Sequence, residues 1–116
     1  MEEQVIVMPT VALRGMTILP GMVQHFDVSR KKSVAAVEKA MLGDQKLFLV
    51  SQKRPEVPDP ELDDLYQIGT VAVVKQLVKL PSKSVRGLVE GLDKAELLCF
   101  DTEEPYLMGE ISLIGE

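Results

Sequence analysis

The chain has 116 residues, a formal net charge of −5 and one cysteine, enough length for a single domain that buries its own core without a disulfide. The acidic balance, the few aromatics and the absence of tryptophan argue against a nucleic-acid partner, and Arg30-Lys31-Lys32 is too short a basic run to change that. No apolar run approaches the roughly 18 residues of a membrane span, and Met1-Glu2-Glu3-Gln4 carries acid where a signal peptide has base, so the expectation is a cytoplasmic chain with no membrane partner.

In chain order, Gln4 to Leu13 is a β-type run rich in valine, which Pro9 confines to an edge, a bulge or a break between two strands. Arg14-Gly15 and Leu19-Pro20-Gly21 bracket a loop that carries Met16, Ile18, Leu19 and Met22, more apolar mass than a solvated loop holds. Either it tucks under the sheet or it offers Met16, Ile18 and Met22 as an apolar rim to a partner. Met22 to Val28 alternates, with Phe26 and Val28 on one face and His25, Asp27 and Val23 on the other, which places His25 at the surface.

Ser29 is the expected N-cap of a helix from about Arg30 to Leu42, stopped by Gly43, with Val34, Val37, Ala40 and Met41 as the buried stripe. Lys32, Glu38 and Lys39 then face water. Arg30, Lys31 and Lys32 oppose the helix dipole, which reads as a solvated end or a local anionic contact. Lys46 to Gln52 is a short apolar strand, after which Glu56, Asp59, Glu61, Asp63 and Asp64 interleave with Pro55, Pro58 and Pro60. That composition predicts a mobile surface loop. Asp59, Glu61 and Asp63 have the start of a calcium-loop spacing, but Asp64 and Thr70 stand where that loop needs glycine and a bidentate acid, so no metal is expected.

The stretch Ile68 to Leu92 organises the rest. Thr70 to Leu80 and Ser84 to Leu92 flank Pro81-Ser82-Lys83 as a hairpin. With Ser82 and Lys83 as a two-residue loop, Leu77 lies opposite Leu88, Lys75 opposite Glu90 and Lys79 opposite Arg86. Val74, Gln76, Val78 and Leu80 then share the core face with Val85, Gly87, Val89 and Gly91. An apolar pair ringed by charge has the make-up of a small peptide-docking patch, although two leucines that simply pack on each other or under a loop have the same pattern. Gly91-Leu92-Asp93-Lys94 reads as a second tight turn into a strand from Ala95 to Phe100, in which Cys99 is a packed thiol. Tyr106 to Ile114 is the last strand, with Leu107, Ile111 and Leu113 on one face. Six or seven strands and one helix, with few helical crossovers, predict an α+β, mainly β fold: an open barrel or bent antiparallel sheets covered by the helix.

No phosphate loop, dinucleotide fingerprint, nucleophile elbow, histidine pair or cysteine cluster occurs, and no Ser-Lys pair sits in an apolar surround that would activate the lysine. The chain is therefore expected to be non-catalytic and to need no cofactor.

The ordered set Val11-Ala12-Leu13-Arg14, Ile18-Leu19-Pro20, Asp27-Val28, Lys32-Ser33-Val34, Leu49-Val50, Ile68-Gly69-Thr70-Val71-Ala72, Leu80-Pro81 and Leu88-Val89-Glu90-Gly91-Leu92 resembles the N-terminal domain of the Lon ATP-dependent proteases over nearly the whole chain. Ser82-Lys83 stands where that family often has Asp-Gly. The resemblance implies a PUA-like domain over residues 1–116 that recognises unfolded or tagged proteins and supports assembly of a protease hexamer. It also implies that the ATPase module, with its ATP and Mg, and the Ser-Lys protease module lie outside this chain. On that reading Leu77 and Leu88 are the apolar contacts for exposed hydrophobic segments, with His25 beside them and Met16, Ile18 and Met22 as a second rim.

Overall fold

A computed structural model describes residues 5–58 and 60–114. Six strands form one bent sheet: β1 (Val5–Leu13), β2 (Val23–Val28), β3 (Lys46–Ser51), β4 (Ile68–Lys79), β5 (Val85–Thr102) and β6 (Met108–Leu113), in the order β2-β5-β4-β3-β1-β6. Among the described residues one α-helix, α1 (Lys31–Leu42), lies on the connection between β1 and β3, which are the one parallel pair there, and packs on both. All other pairings are antiparallel. β5 also pairs with β6 through its C-terminal half, which bends the sheet round from β5 to β6, leaves β2 outside that turn, and gives the bent, mainly β architecture expected from the sequence.

Pro9 does not break β1; it marks a change of partner. Residues before it pair antiparallel with β6, while Thr10 to Leu13 run parallel to β3. A proline tolerates this place because the ladder is being handed over there. β3 lies between β4 and β1, so both of its edges are paired, and a core covers each of its faces. Leu47 and Leu49 enter one core beneath α1, and Phe48 and Val50 enter a second on the opposite face, which explains its unbroken apolar run.

Helix α1 begins one residue later than the sequence predicts. Its cap position is Arg30, with extended backbone angles and no side-chain cap bond, and Ser29 takes no part. The Arg30 side chain is turned inward instead. It donates to the Ala12 carbonyl at 3.0 Å, to Gln52 Oε1 and to the Pro58 carbonyl at 3.4 Å, so this basic helix start is not simply solvated. Lys32 likewise pairs with Glu104 at 3.0 Å. Gln52 is 4% exposed and donates to the carbonyls of Arg54 and Val57, both at 3.0 Å. The stretch from Arg54 to Pro58 is thereby fastened to the body of the domain, and beyond it stand a 3-10 turn at Leu62–Asp64 and Leu65, buried in the second core. Repeated prolines exclude a regular element, but side-chain bonds from outside the segment fix its carbonyls. Asp59 lies outside the described residues, and among those residues no His, Cys, Asp or Glu side chains gather as a cation site.

No turn occurs at Gly91 to Lys94: β5 runs through it as one 18-residue strand, with Leu92 left unpaired at an irregularity opposite Val71 and Ala72. Glycine is needed at position 91 for close approach rather than for a turn. The Gly21 N–H donates to the Gly91 carbonyl at 2.9 Å and the Gly91 N–H to the Met22 carbonyl at 2.8 Å, which pins the apolar loop against the strand. Ile18, at 2% exposure, belongs to the core, and Met16 and Met22 pack half-buried against it. The loop therefore tucks under the sheet, and Met16, Ile18 and Met22 do not form a free rim.

Candidate functional site

The hairpin register differs from the sequence expectation by one residue. Its loop has three residues, Pro81–Lys83, closed by the Leu80 N–H donating to the Ser84 carbonyl at 2.9 Å, with Lys83 in the left-handed region at φ 63°. A third loop residue in that conformation matches the strand twist in place of a two-residue turn. Leu77 thus faces Gly87, and Leu88 faces Gln76; Lys79 faces Val85 rather than Arg86. Since successive side chains alternate, the slip sends the two leucines to opposite faces. Leu77 packs against the core beside α1, and the expected Leu77–Leu88 patch does not form.

A bulge then restores burial further along β4. Lys75 is the extra residue between the pairs Val74–Val89 and Gln76–Leu88. It lets Val74 point inward while Gln76 stays in water, so the polar intruder expected on the core face is avoided. Lys75 still reaches Glu90, at 3.0 Å, although the two are not opposed. Val78, expected inside, is 46% exposed.

The outer face of β2, β5 and β4 consequently has three rows: Asp27-Arg86-Val78, His25-Leu88-Gln76 and Val23-Glu90-Val73. Leu88 is half-buried at the centre, directly opposite His25, and its diagonal neighbours on the flanking strands are Val23, 58% exposed, and Val78. Diagonal partners of this kind lie within reach of one another. The result is a short apolar strip between two ion pairs. Arg86 holds Asp27 bidentately, with Nε to Oδ1 at 2.8 Å and Nη2 to Oδ2 at 3.1 Å, and Lys75–Glu90 stands on the other side. Sequence reasoning placed Leu88, His25 and Val23 outward but missed Val78, because only the loop length and the bulge turn that residue out.

The Arg86 hydrogen bond outweighs the opposing desolvation and, helped by the charges of Arg86 and His25, holds the Asp27 carboxyl below its usual value near 3.8. With the folded pKa below the unfolded one, the pair's contribution is present above the usual value and is lost as pH falls through the depressed one. We expect Arg86→Gln to return the Asp27 carboxyl midpoint upward in a carbon-13 titration; an unmoved midpoint would remove Arg86 as the cause. Away from this face, burial first and neighbouring Glu110 second push the half-buried Cys99 thiol above the ordinary range, the opposite of what a nucleophile requires.

A concavity of about 420 Å³ lies at the start of α1 between Lys31, Lys32, Pro58, Pro60, Pro105 and Leu107. Among the described residues no helix is long and apolar enough to cross a membrane.

A bent, mainly antiparallel sheet under one helix, with a shallow half-apolar outer face, makes up a small, mainly β domain. The chain belongs to the substrate-binding domain family of the ATP-dependent protease La (LON), whose model matches residues 7–116. It is 47% identical over 112 residues to the Lon protease of Lachnoclostridium phytofermentans, covering 97% of this chain and 14% of that protein. It is 41% identical over 108 residues to Lon protease 1 of Bacillus subtilis, covering 93% and 14%. The chain thus spans about one seventh of the length of these relatives. The fold is similar to the N-terminal domain of a Mycobacterium avium complex Lon protease, with a TM-score of 0.75 at 18% identity over 96% of this chain and 56% of that one. A Lon N-terminal domain protein from Xanthomonas campestris gives a TM-score of 0.70 at 13% identity over 95% and 60%.

Proposed function

We propose that this domain is the non-catalytic substrate-recognition part of an ATP-dependent protease and that its outer β2-β5-β4 face holds exposed apolar segments of unfolded or damaged proteins. The observation that carries the reading is the strip Val23-Leu88-Val78, apolar and open to water between two ion pairs, where a monomeric domain gains nothing from it. Three side chains offer little area against the cost of association, so single-domain binding is weak and several linked copies raise it by avidity. Such binding needs no cofactor in this chain; ATP and Mg serve the motor of the longer protease.

Leu88→Ser tests the reading. Removing a half-buried leucine contact should cost about 1 kcal/mol of binding, roughly fivefold, to a permanently unfolded, reduced and carboxymethylated lactalbumin. Amide chemical-shift titration reads the affinity. The melting temperature should fall by less than about 3 °C, because surface changes away from packed features stay within about 0.5 kcal/mol. A large melting loss, or unchanged affinity, would count against Leu88 as the contact.

A further inference from the structure

We infer that the free edge of β2 is a strand-addition site, at which an extended segment of an unfolded polypeptide pairs its main chain with Val23, His25 and Asp27. The inference rests on the substrate-recognition reading and goes beyond it by naming the backbone as the group that is read. β2 stands at the end of the strand order and has one neighbour, β5, along an unbroken register from Val23–Glu90 to Val28–Val85.

The direction of each backbone group follows from two separate hydrogen bonds. The Gly91 N–H donates to the Met22 carbonyl, so the even-numbered residues of β2 point toward β5. The Leu80 N–H donates to the Ser84 carbonyl, so the even-numbered residues of β5 face β4 and its odd-numbered ones face β2. The two assignments agree. They leave the N–H and C=O of Val23, His25 and Asp27 directed off the sheet, and among the described residues no main-chain partner meets them. Three residues with both groups unpaired, at alternate positions, match the ladder of one incoming strand.

Exposed edges are ordinarily blunted by proline, lysine, a bulge or a covering element. β2 reads VQHFDV and has no proline, lysine or bulge, and its one charge is occupied by Arg86. A shallow depression of about 450 Å³, lined by Met16, His25, Phe26, Asp27 and Arg86, opens along the same edge and offers room for an alternate side chain of the added strand. Val23 and His25 also contribute their side chains to the face around Leu88, so a segment seated on the edge continues onto the apolar strip. Main-chain pairing is indifferent to sequence, which suits a site that must accept many unfolded chains.

Amide hydrogen exchange in this chain, with and without reduced and carboxymethylated lactalbumin, tests the proposal. In the free domain the amides of Val23, His25 and Asp27 should exchange fast while Gln24 and Phe26 are protected by β5. At saturation the three edge amides should slow by about tenfold or more. His25→Pro should weaken binding about tenfold more than His25→Ala, since both lose the imidazole but only proline removes the central outward donor, and it spares the β5 ladder. Should that variant misfold, exchange in the unaltered chain decides alone. Binding that leaves the three amides unprotected would overturn strand addition while preserving recognition through Leu88. Absence of any binding would sink both readings. Edge protection already present in the free chain and lost on dilution would assign the edge to a second copy instead.

Discussion

Gly91→Ala is expected to lower stability by about 3 kcal/mol or more, an unusually large effect for one methyl group. A Cβ at this position would stand 2.3 Å from the Leu19 carbonyl oxygen, 2.9 Å from the Leu19 carbonyl carbon and 3.2 Å from the Pro20 Cα. All three are backbone atoms, so no side chain can turn aside. To admit the methyl group, the loop before β2 must lift from β5, which breaks the Gly21–Gly91 and Gly91–Met22 hydrogen bonds and draws Ile18 out of the core. Urea unfolding with an unchanged slope and a lowered midpoint is the expected record. Gly21→Ala is the control. That glycine has φ 86° but nothing within 4 Å of its Cβ position, so it should lose only about 1–2 kcal/mol, the cost of a left-handed backbone for an L-residue. Equal losses at the two sites would show that conformation rather than close approach sets the effect.

The second large effect is expected at Gln52→Leu, at about 3 kcal/mol. The leucine fills a similar volume, but Gln52 is the point through which three separate groups are satisfied. Its Oε1 accepts from the Arg30 guanidinium, and its Nε2 donates to the carbonyls of Arg54 and Val57. A hydrogen bond to a charged partner contributes about 1.5–3 kcal/mol, and each neutral one about 1 kcal/mol. Since Arg30 keeps its bond to the Ala12 carbonyl, the loss falls short of a wholly stranded charge. The structural consequence should be local: the segment from Lys53 to Pro58 loses its fastening and becomes cleavable by trypsin at Lys53. Mass spectrometry of a timed digest reads this. A variant that melts earlier but resists cleavage there would show that Gln52 acts on the core and not on the loop.

The outer face depends on the same kind of detail. Alternation in β2 was enough to place His25 and Val23 outside and Phe26 and Val28 inside, because a two-residue period with one face buried leaves a single arrangement. In the hairpin the same rule misassigned Leu77 and Val78, since the period was sound but its phase was not. Phase depends on how many residues the loop keeps and on whether a strand carries a bulge. Neither Ser82-Lys83 nor Lys75 signals this by residue type. The only hint is Gln76, a polar residue at an apparently inward-facing position beside a valine run.

The sequence by itself determined the presence and type of nearly every element: one helix ended by Gly43, valine-rich strands, the hairpin at Pro81, and an acidic proline-rich excursion between β3 and β4. These follow from local chemistry, in which each residue's own backbone preference and the spacing of apolar side chains suffice. Tertiary structure alone decided the features that need two distant segments at once. Arg30 left the helix cap's surroundings to hold Ala12 and Gln52, Gly91 served a loop some 70 residues earlier in the chain, and Leu88 rather than Leu77 faced outward. A hydrogen bond or close approach between remote residues leaves no periodic trace in the chain, so only the folded arrangement reveals it.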